Sequence, residues 1–223
     1  NGNKLFASFW AAGVQFLEIS DPAAPRLIGQ TSYRPEDSYR GAHSGWFNED
    51  ETLFVQNDEA MAAVGSGSQT TWTFQRVFDT RSLAQPKLVS TFMLPQEVAS
   101  GTGDVVATQN PASYIHSIAV SDDGTRAYVG NWDYGTFVAD TSGLADPAGV
   151  PVITPLSPLP LDYGANVHGN VPIPGRPYGV MVQEEYAAAG RGCPFGWLRM
   201  ADMTDPTAIK LAGEYKVPEN DCD

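Results

Sequence analysis

This 223-residue chain contains three histidines, His43, His116 and His168. Each stands where a polar, turn-rich stretch gives way to a short apolar run, so each opens a predicted β-strand. Imidazole is the commonest metal-ligating side chain and changes charge near neutral pH. Three of them brought to one level suit a soft or borderline divalent ion such as copper or zinc. Asn57, Asn131 and Glu184 end the strands predicted to pair with the histidine strands. Side chains of that kind fix imidazole orientation from behind. A wet channel lined by polar residues is the alternative use of the same set.

Other chemistry is sparse. In Gly41-Ala42-His43-Ser44-Gly45 the serine falls one place too late for a nucleophile elbow, and Gly65-Ser66-Gly67-Ser68 lacks the lysine of a phosphate loop. The pair Glu184-Glu185 could serve acid–base work, but an acidic pair at a strand end is commonly a solvated edge. Of the five tryptophans, Trp132 follows Asn131 at the same end of its strand as the histidines and is the candidate for ligand stacking. The other four, Trp10, Trp46, Trp72 and Trp197, read as packing residues.

The elements that must position the histidines come from a repeat. Glu18, Asp79, Asp140 and Asp202 each close an apolar run and enter a turn, at spacings of 61, 61 and 62 residues. Ser20, Ser142 and Thr204 follow two places later, as expected of turns closed by side-chain hydrogen bonds, although calcium binding or acid catalysis could use the same carboxylates. Around each acid the chain repeats four short apolar runs, a to d. In the third unit these are His116 to Val120, Arg126 to Asn131, Thr136 to Thr141 and Val150 to Thr154.

Tandem four-stranded antiparallel units without helices predict an all-β fold, a β-propeller in one domain over 1–223, with a β-sandwich as the alternative. The blades span approximately 1–41, 42–110, 111–165 and 166–223. Four visible blades fit a larger ring, seven being within the usual range, with a closed four-blade ring as the alternative. Asn1-Gly2-Asn3 reads as a hairpin turn, so the innermost strand of the first blade is expected upstream of it. Strand direction then places the long loops 60–72, 96–114, 157–167 and 187–196, and all three histidines, at one end of the ring. That end is the expected functional face.

The segments Phe16-Leu17-Glu18-Ile19-Ser20-Asp21-Pro22-Ala23-Ala24-Pro25 and Leu198-Arg199-Met200-Ala201-Asp202-Met203-Thr204-Asp205-Pro206 resemble the LVIVD-repeat family. Val77-Phe78-Asp79-Thr80 leading to Pro86 is a looser match, and the third unit departs from the pattern at Gly143-Leu144-Ala145. That resemblance implies mostly secreted propellers. A more distant likeness to the selenium-binding and methanethiol oxidase propellers lies in His116 to Gly124 and in Gly29-Gln30.

Twenty-six acids against thirteen lysines and arginines give a formal charge of −13, which repels phosphate backbones and anionic lipid. Nucleic acid and anionic membrane surfaces are therefore not expected as partners, and no apolar run approaches the roughly 18 residues of a membrane span; a protein or small-molecule ligand on the long-loop face is expected, with other chain segments completing the ring. Cys193 and Cys222 fall at the same end of one blade, and a disulfide between them would place the protein in the periplasm or outside the cell. Two functions follow: an exported, non-catalytic binding or scaffold module, or a metal-dependent oxidase of copper type with His43, His116 and His168 as ligands.

Overall fold

The computed structural model describes residues 2–35, 41–58, 75–92, 115–131, 135–145, 154–159, 166–184, 196 and 198–218. These residues form four antiparallel sheets. The first holds β1 (Lys4–Ser8), β2 (Val14–Glu18) and β3 (Arg26–Gln30). The second runs β4 (Ala42–Phe47), β5 (Leu53–Asp58), β6 (Gln75–Asp79), β7 (Lys87–Phe92). The third runs β8 (Ile115–Val120), β9 (Arg126–Asn131), β10 (Gly135–Asp140), β11 (Thr154–Leu159). The fourth runs β12 (Asn166–Pro172), β13 (Tyr178–Glu184), β14 (Leu198–Asp202), β15 (Lys210–Tyr215). Every hydrogen-bonded neighbour is the next strand in sequence, so each sheet is a meander and the unit of about sixty residues is one blade.

Alternation along the strands decides which blade each side chain touches. Phe16, Val77 and Val138 hold equivalent places two residues before their acids, and each faces the following blade. Phe78, Ala139 and Ala201, one residue later, face the preceding blade. Three apolar clusters result, one per blade junction. Phe16, Phe54 and Phe78 join the first two blades, Val77, Ile118 and Phe137 the second and third, Val138, Met181 and Met203 the third and fourth. Sheets packed face to face in sequence around the inner strands β4, β8 and β12 are the radial arrangement of a propeller, and the sandwich alternative falls away.

One strand lies elsewhere than expected. The last described strand of the third blade, β11, begins at Thr154, where the expected strand 150–154 ends; residues 150–153 lie outside the described residues, and a 3₁₀ turn spans Ser142–Ala145. Pro155 and Pro158 argue against a strand there, yet β11 is outermost in its sheet, where missing N–H donors are tolerated.

The recurrent acids close the turns after β2, β6, β10 and β14. The main-chain N–H of Ser20, Arg81, Ser142 and Thr204 donates to Glu18, Asp79, Asp140 and Asp202. Side-chain hydrogen bonds from the same four residues hold all four carboxyls below their ordinary range. These bonds give the acids a structural role in turn closure.

Candidate functional site

The inner strands carry one irregularity at the same place in three blades. Ala42 pairs with Asp58 and Ser44 with Asn57, leaving His43 as the extra residue of a β-bulge. Ile115 pairs with Asn131 and Ser117 with Gly130, leaving His116. Val167 pairs with Gln183 and Gly169 with Val182, leaving His168. A bulge takes one residue out of the ladder and re-aims its side chain. Here His43 and His116 turn toward the following blade, and His168 lies beside Glu184 of its own blade.

Two of the three imidazoles, His43 and His116, reach the main chain of the next bulge. His43 Nδ1–H donates to the carbonyl of His116 at 3.2 Å, and His116 Nδ1–H donates to the carbonyl of His168 at 2.8 Å. Ring centroids are 4.4 Å apart between His43 and His116, and 4.3 Å between His116 and His168. Because a carbonyl only accepts, both rings carry hydrogen on Nδ1, and in the neutral form the lone pair sits on Nε2. Asn57 Nδ2 also donates to the His116 carbonyl at 2.9 Å, and the Ser44 hydroxyl does so at 3.3 Å. The column ends at Glu184, whose Oε2 lies 3.2 Å from His168 Nε2.

His116, His168 and Glu184 offer ligand atoms that all lie within 4.8 Å of one another. A tetrahedral ion with bonds of about 2.0–2.1 Å sets its ligand atoms about 3.3 Å apart, so His168 and Glu184 already match and His116 needs a small approach. The structure thus brings two of the three expected histidines together with Glu184, which the sequence placed behind the imidazoles. His43 stands one blade further along, anchored to the His116 carbonyl. Asn57 supports the column from behind. The backbone of Asn131 pairs with Ile115, while its side chain, Trp132, Cys193 and Cys222 lie outside the described residues.

A cavity of about 520 Å³ opens beside the column, lined by all three histidines together with Ser44, Ser117 and Asn170. His116 is 3% exposed, whereas the side chains of His168 and Glu184 are 48% and 31% exposed, so the column is open to solvent on the fourth-blade side.

Two features depart from the sequence expectation or go beyond it. Trp10, taken for a packing residue, is exposed at the mouth with its ring centroid 5.9 Å from His43 and its backbone at φ 46°. Its carbonyl accepts from Ala42 N–H, Gly13 N–H and the Tyr33 hydroxyl, which hold that uncommon conformation in place. The second is a buried network behind His43. Arg76 pairs with Asp58, both sealed from solvent, and lies 4.7 Å over the Tyr33 ring. Asp58 Oδ1 accepts from Gln56 Nε2 at 2.8 Å and Tyr33 Oη at 3.0 Å, and Gln75 donates to Asn57.

Solved structures similar to this chain are propellers. The β-propeller domain of Myceliophteria thermophila Cps50 (Swd1) aligns with 98% of the chain at TM-score 0.61 and 7% identity, Kuenenia stuttgartiensis hydrazine synthase with 96% at 0.59 and 15%, and Chaetomium thermophilum Sqt1 bound to the N-terminus of ribosomal protein L10 with 95% at 0.53 and 16%. The fold is a β-propeller. At such identities the likeness carries the fold alone, and the chain spans 58%, 46% and 44% of those chains, about half their length. No protein-family model matches the sequence, and no curated protein matches it significantly. Among the described residues no helix is long and apolar enough to cross a membrane.

Proposed function

We propose that the chain is an exported propeller binding module of LVIVD-repeat type, and that its ligand site, the histidine column, takes a divalent transition-metal ion on His116, His168 and Glu184. The carrying observation is the approach of three ligand atoms to within 4.8 Å from two blades. Nδ1–H donation to a carbonyl, as His116 makes, is the arrangement that fixes a metal-ligating imidazole and presents Nε2. Two imidazoles and a carboxylate are harder than three imidazoles, and that set suits zinc or iron(II) before copper. The copper-type oxidase reading would use the same ligands and is the less favoured for that reason. Export is supported by the acidic balance, and a Cys193–Cys222 disulfide belongs to the same proposal. The long-loop face around the mouth would meet a protein partner or small molecule, a role supported by Sqt1, whose structure holds the N-terminus of a ribosomal protein.

The test is zinc titration of chelator-stripped protein by calorimetry, with elemental analysis of the loaded form. One equivalent is expected for the natural chain, none for His116→Ala, and weakened uptake for Glu184→Gln. Absence of stoichiometric zinc, iron or copper in the natural chain overturns the metal reading.

A further inference from the structure

The histidines stand at the beginning of the inner strands, and the opposite ends of the same strands border a second cavity, of about 390 Å³. That size is within the usual range for a small-molecule site. Its walls come from the second, third and fourth blades, with Trp46, Tyr128 and Met203 supplying apolar surface. Met203 belongs to the cluster that joins the third and fourth blades, so the cavity lies inside the array and does not depend on what adjoins either end of it. Trp46, expected to pack, is 37% exposed here. Arg126 and Arg176 line the same space, two cations together in a chain of formal charge −13. Among the described residues neither guanidinium makes an ion pair. Arg126 opens β9 after a turn closed by Gly124 N–H on the Ser121 carbonyl. The acids beside it are engaged elsewhere, Asp123 accepting from Ser121 and Thr125, and Asp140, across the ladder, from Ser142 N–H. Arg176 sits between Gly175, at φ 70°, and Pro177, and its N–H donates to the Ile173 carbonyl at 3.1 Å. Both guanidiniums are thus carried on rigid turns, which lowers the ordering cost of binding.

We propose that this cavity binds a small aromatic carboxylate, with the carboxylate on Arg126 and Arg176 and the ring against Trp46, Tyr128 and Met203. A guanidinium presents paired N–H donors that match the two oxygens of a carboxylate. Flat apolar surface beside it suits a ring. Asp122 also lines the cavity, and its carbonyl accepts from Glu49 N–H of the adjoining turn at 3.2 Å. Those two acids at the rim, added to the net charge, repel nucleic acid and acidic peptides and leave a compact single anion as the occupant. The site is at the other end of the inner strands from the histidine column and is independent of the metal reading.

The experiment is calorimetric titration of the full chain with phenylacetate, with circular dichroism to check folding of each variant. One equivalent is expected, with a Kd of about 1 mM or tighter for so small a ligand. Phenylacetamide, which keeps the shape without the charge, and acetate, which keeps the charge without the ring, should each bind about tenfold more weakly or worse. Arg126→Gln and Arg176→Gln should each weaken phenylacetate about 10–100-fold. If Arg126→Gln melts early, Arg176→Gln carries the test from an exposed turn. His116→Ala should leave phenylacetate affinity unchanged, which separates this cavity from the histidine-lined one that Trp46 also borders. No saturable binding below about 10 mM overturns the proposal. So does phenylacetamide binding as tightly as phenylacetate, full affinity in folded Arg176→Gln, or loss of phenylacetate binding in folded His116→Ala.

Discussion

Replacing Arg76 with Met tests the buried network that stands behind the histidine column. Arg76 is 1% exposed and its partner Asp58 is fully buried, so the carboxylate left behind has no access to bulk water. Removing one member of a buried ion pair costs about 3–5 kcal/mol. Asp58 would keep its hydrogen bonds from Gln56 and Tyr33, which places the expected loss toward the lower end of that range. For a chain of this size each kcal/mol lowers the melting temperature by about 2–4 °C, giving a fall of about 6–20 °C. The assay is urea unfolding followed by circular dichroism at pH 7, repeated at pH 5. The deficit should shrink at the lower pH, because protonating the deserted Asp58 removes the buried charge. Adding Asp58→Asn to Arg76→Met should recover most of the loss, since the amide oxygen still accepts from both donors and no charge remains to be buried. A cost below about 1 kcal/mol for Arg76→Met, or a double variant no more stable than the single one, would refute the account of a dry, paired network.

Four further outcomes are expected. Phe78→Ala opens the junction of the first two blades, where the ring is 1% exposed, and should cost about 3–5 kcal/mol by thermal unfolding. Gly130→Ala would set a Cβ 2.8 Å from Ser117 Oγ and 3.0 Å from Val167 Cγ1, an overpacking worth about 1–3 kcal/mol, and zinc calorimetry should show weaker uptake because the strands carrying His116 and His168 are pushed apart. Asn57→Ala removes a donor to the His116 carbonyl and should weaken zinc binding about 10–100-fold in the same titration. Acid unfolding should draw on the turn carboxylates. Glu18, Asp79, Asp140 and Asp202 have folded pKa values below the ordinary 4.5 of glutamate or 3.8 of aspartate, so their stabilisation is complete above that range and is lost as pH falls through it. The fourfold Gln/Asn variant should therefore show a flatter stability curve below about pH 4.5, measured by urea midpoints, and an unchanged slope would count against the turn-closing role.

The histidines were legible as a set because each opens an inner strand, but their contacts with one another were not. A strand pattern read along the sequence has period two, and a bulge adds one residue whose presence is settled only by the partner strand. Val167-His168-Gly169 looks like any other three residues of β12 until Val167 is seen opposite Gln183 and Gly169 opposite Val182. A one-residue slip of the same kind turns His116 toward the His168 carbonyl, and Glu184 stands beside His168 rather than behind it, with its Oε2 3.2 Å from His168 Nε2. Trp10 was expected to pack, and its exposed place beside His43 was not legible because its uncommon backbone depends on hydrogen bonds from Ala42 and Tyr33, both distant in sequence.

The sequence by itself determined the blades. Alternating apolar residues, tight Asp, Gly and Pro turns and acids spaced by about sixty residues are local or strictly periodic signals, and burial of alternate faces leaves a tandem array few ways to pack. Only the tertiary structure decided which imidazoles meet, which carboxylate joins them, that Arg76 is sealed against Asp58, and that β11 carries two prolines at an outer edge. Those outcomes turn on cross-strand register and on contacts between blades, where a shift of one residue or a few ångströms changes the partner, and neither is written in the run of neighbouring side chains.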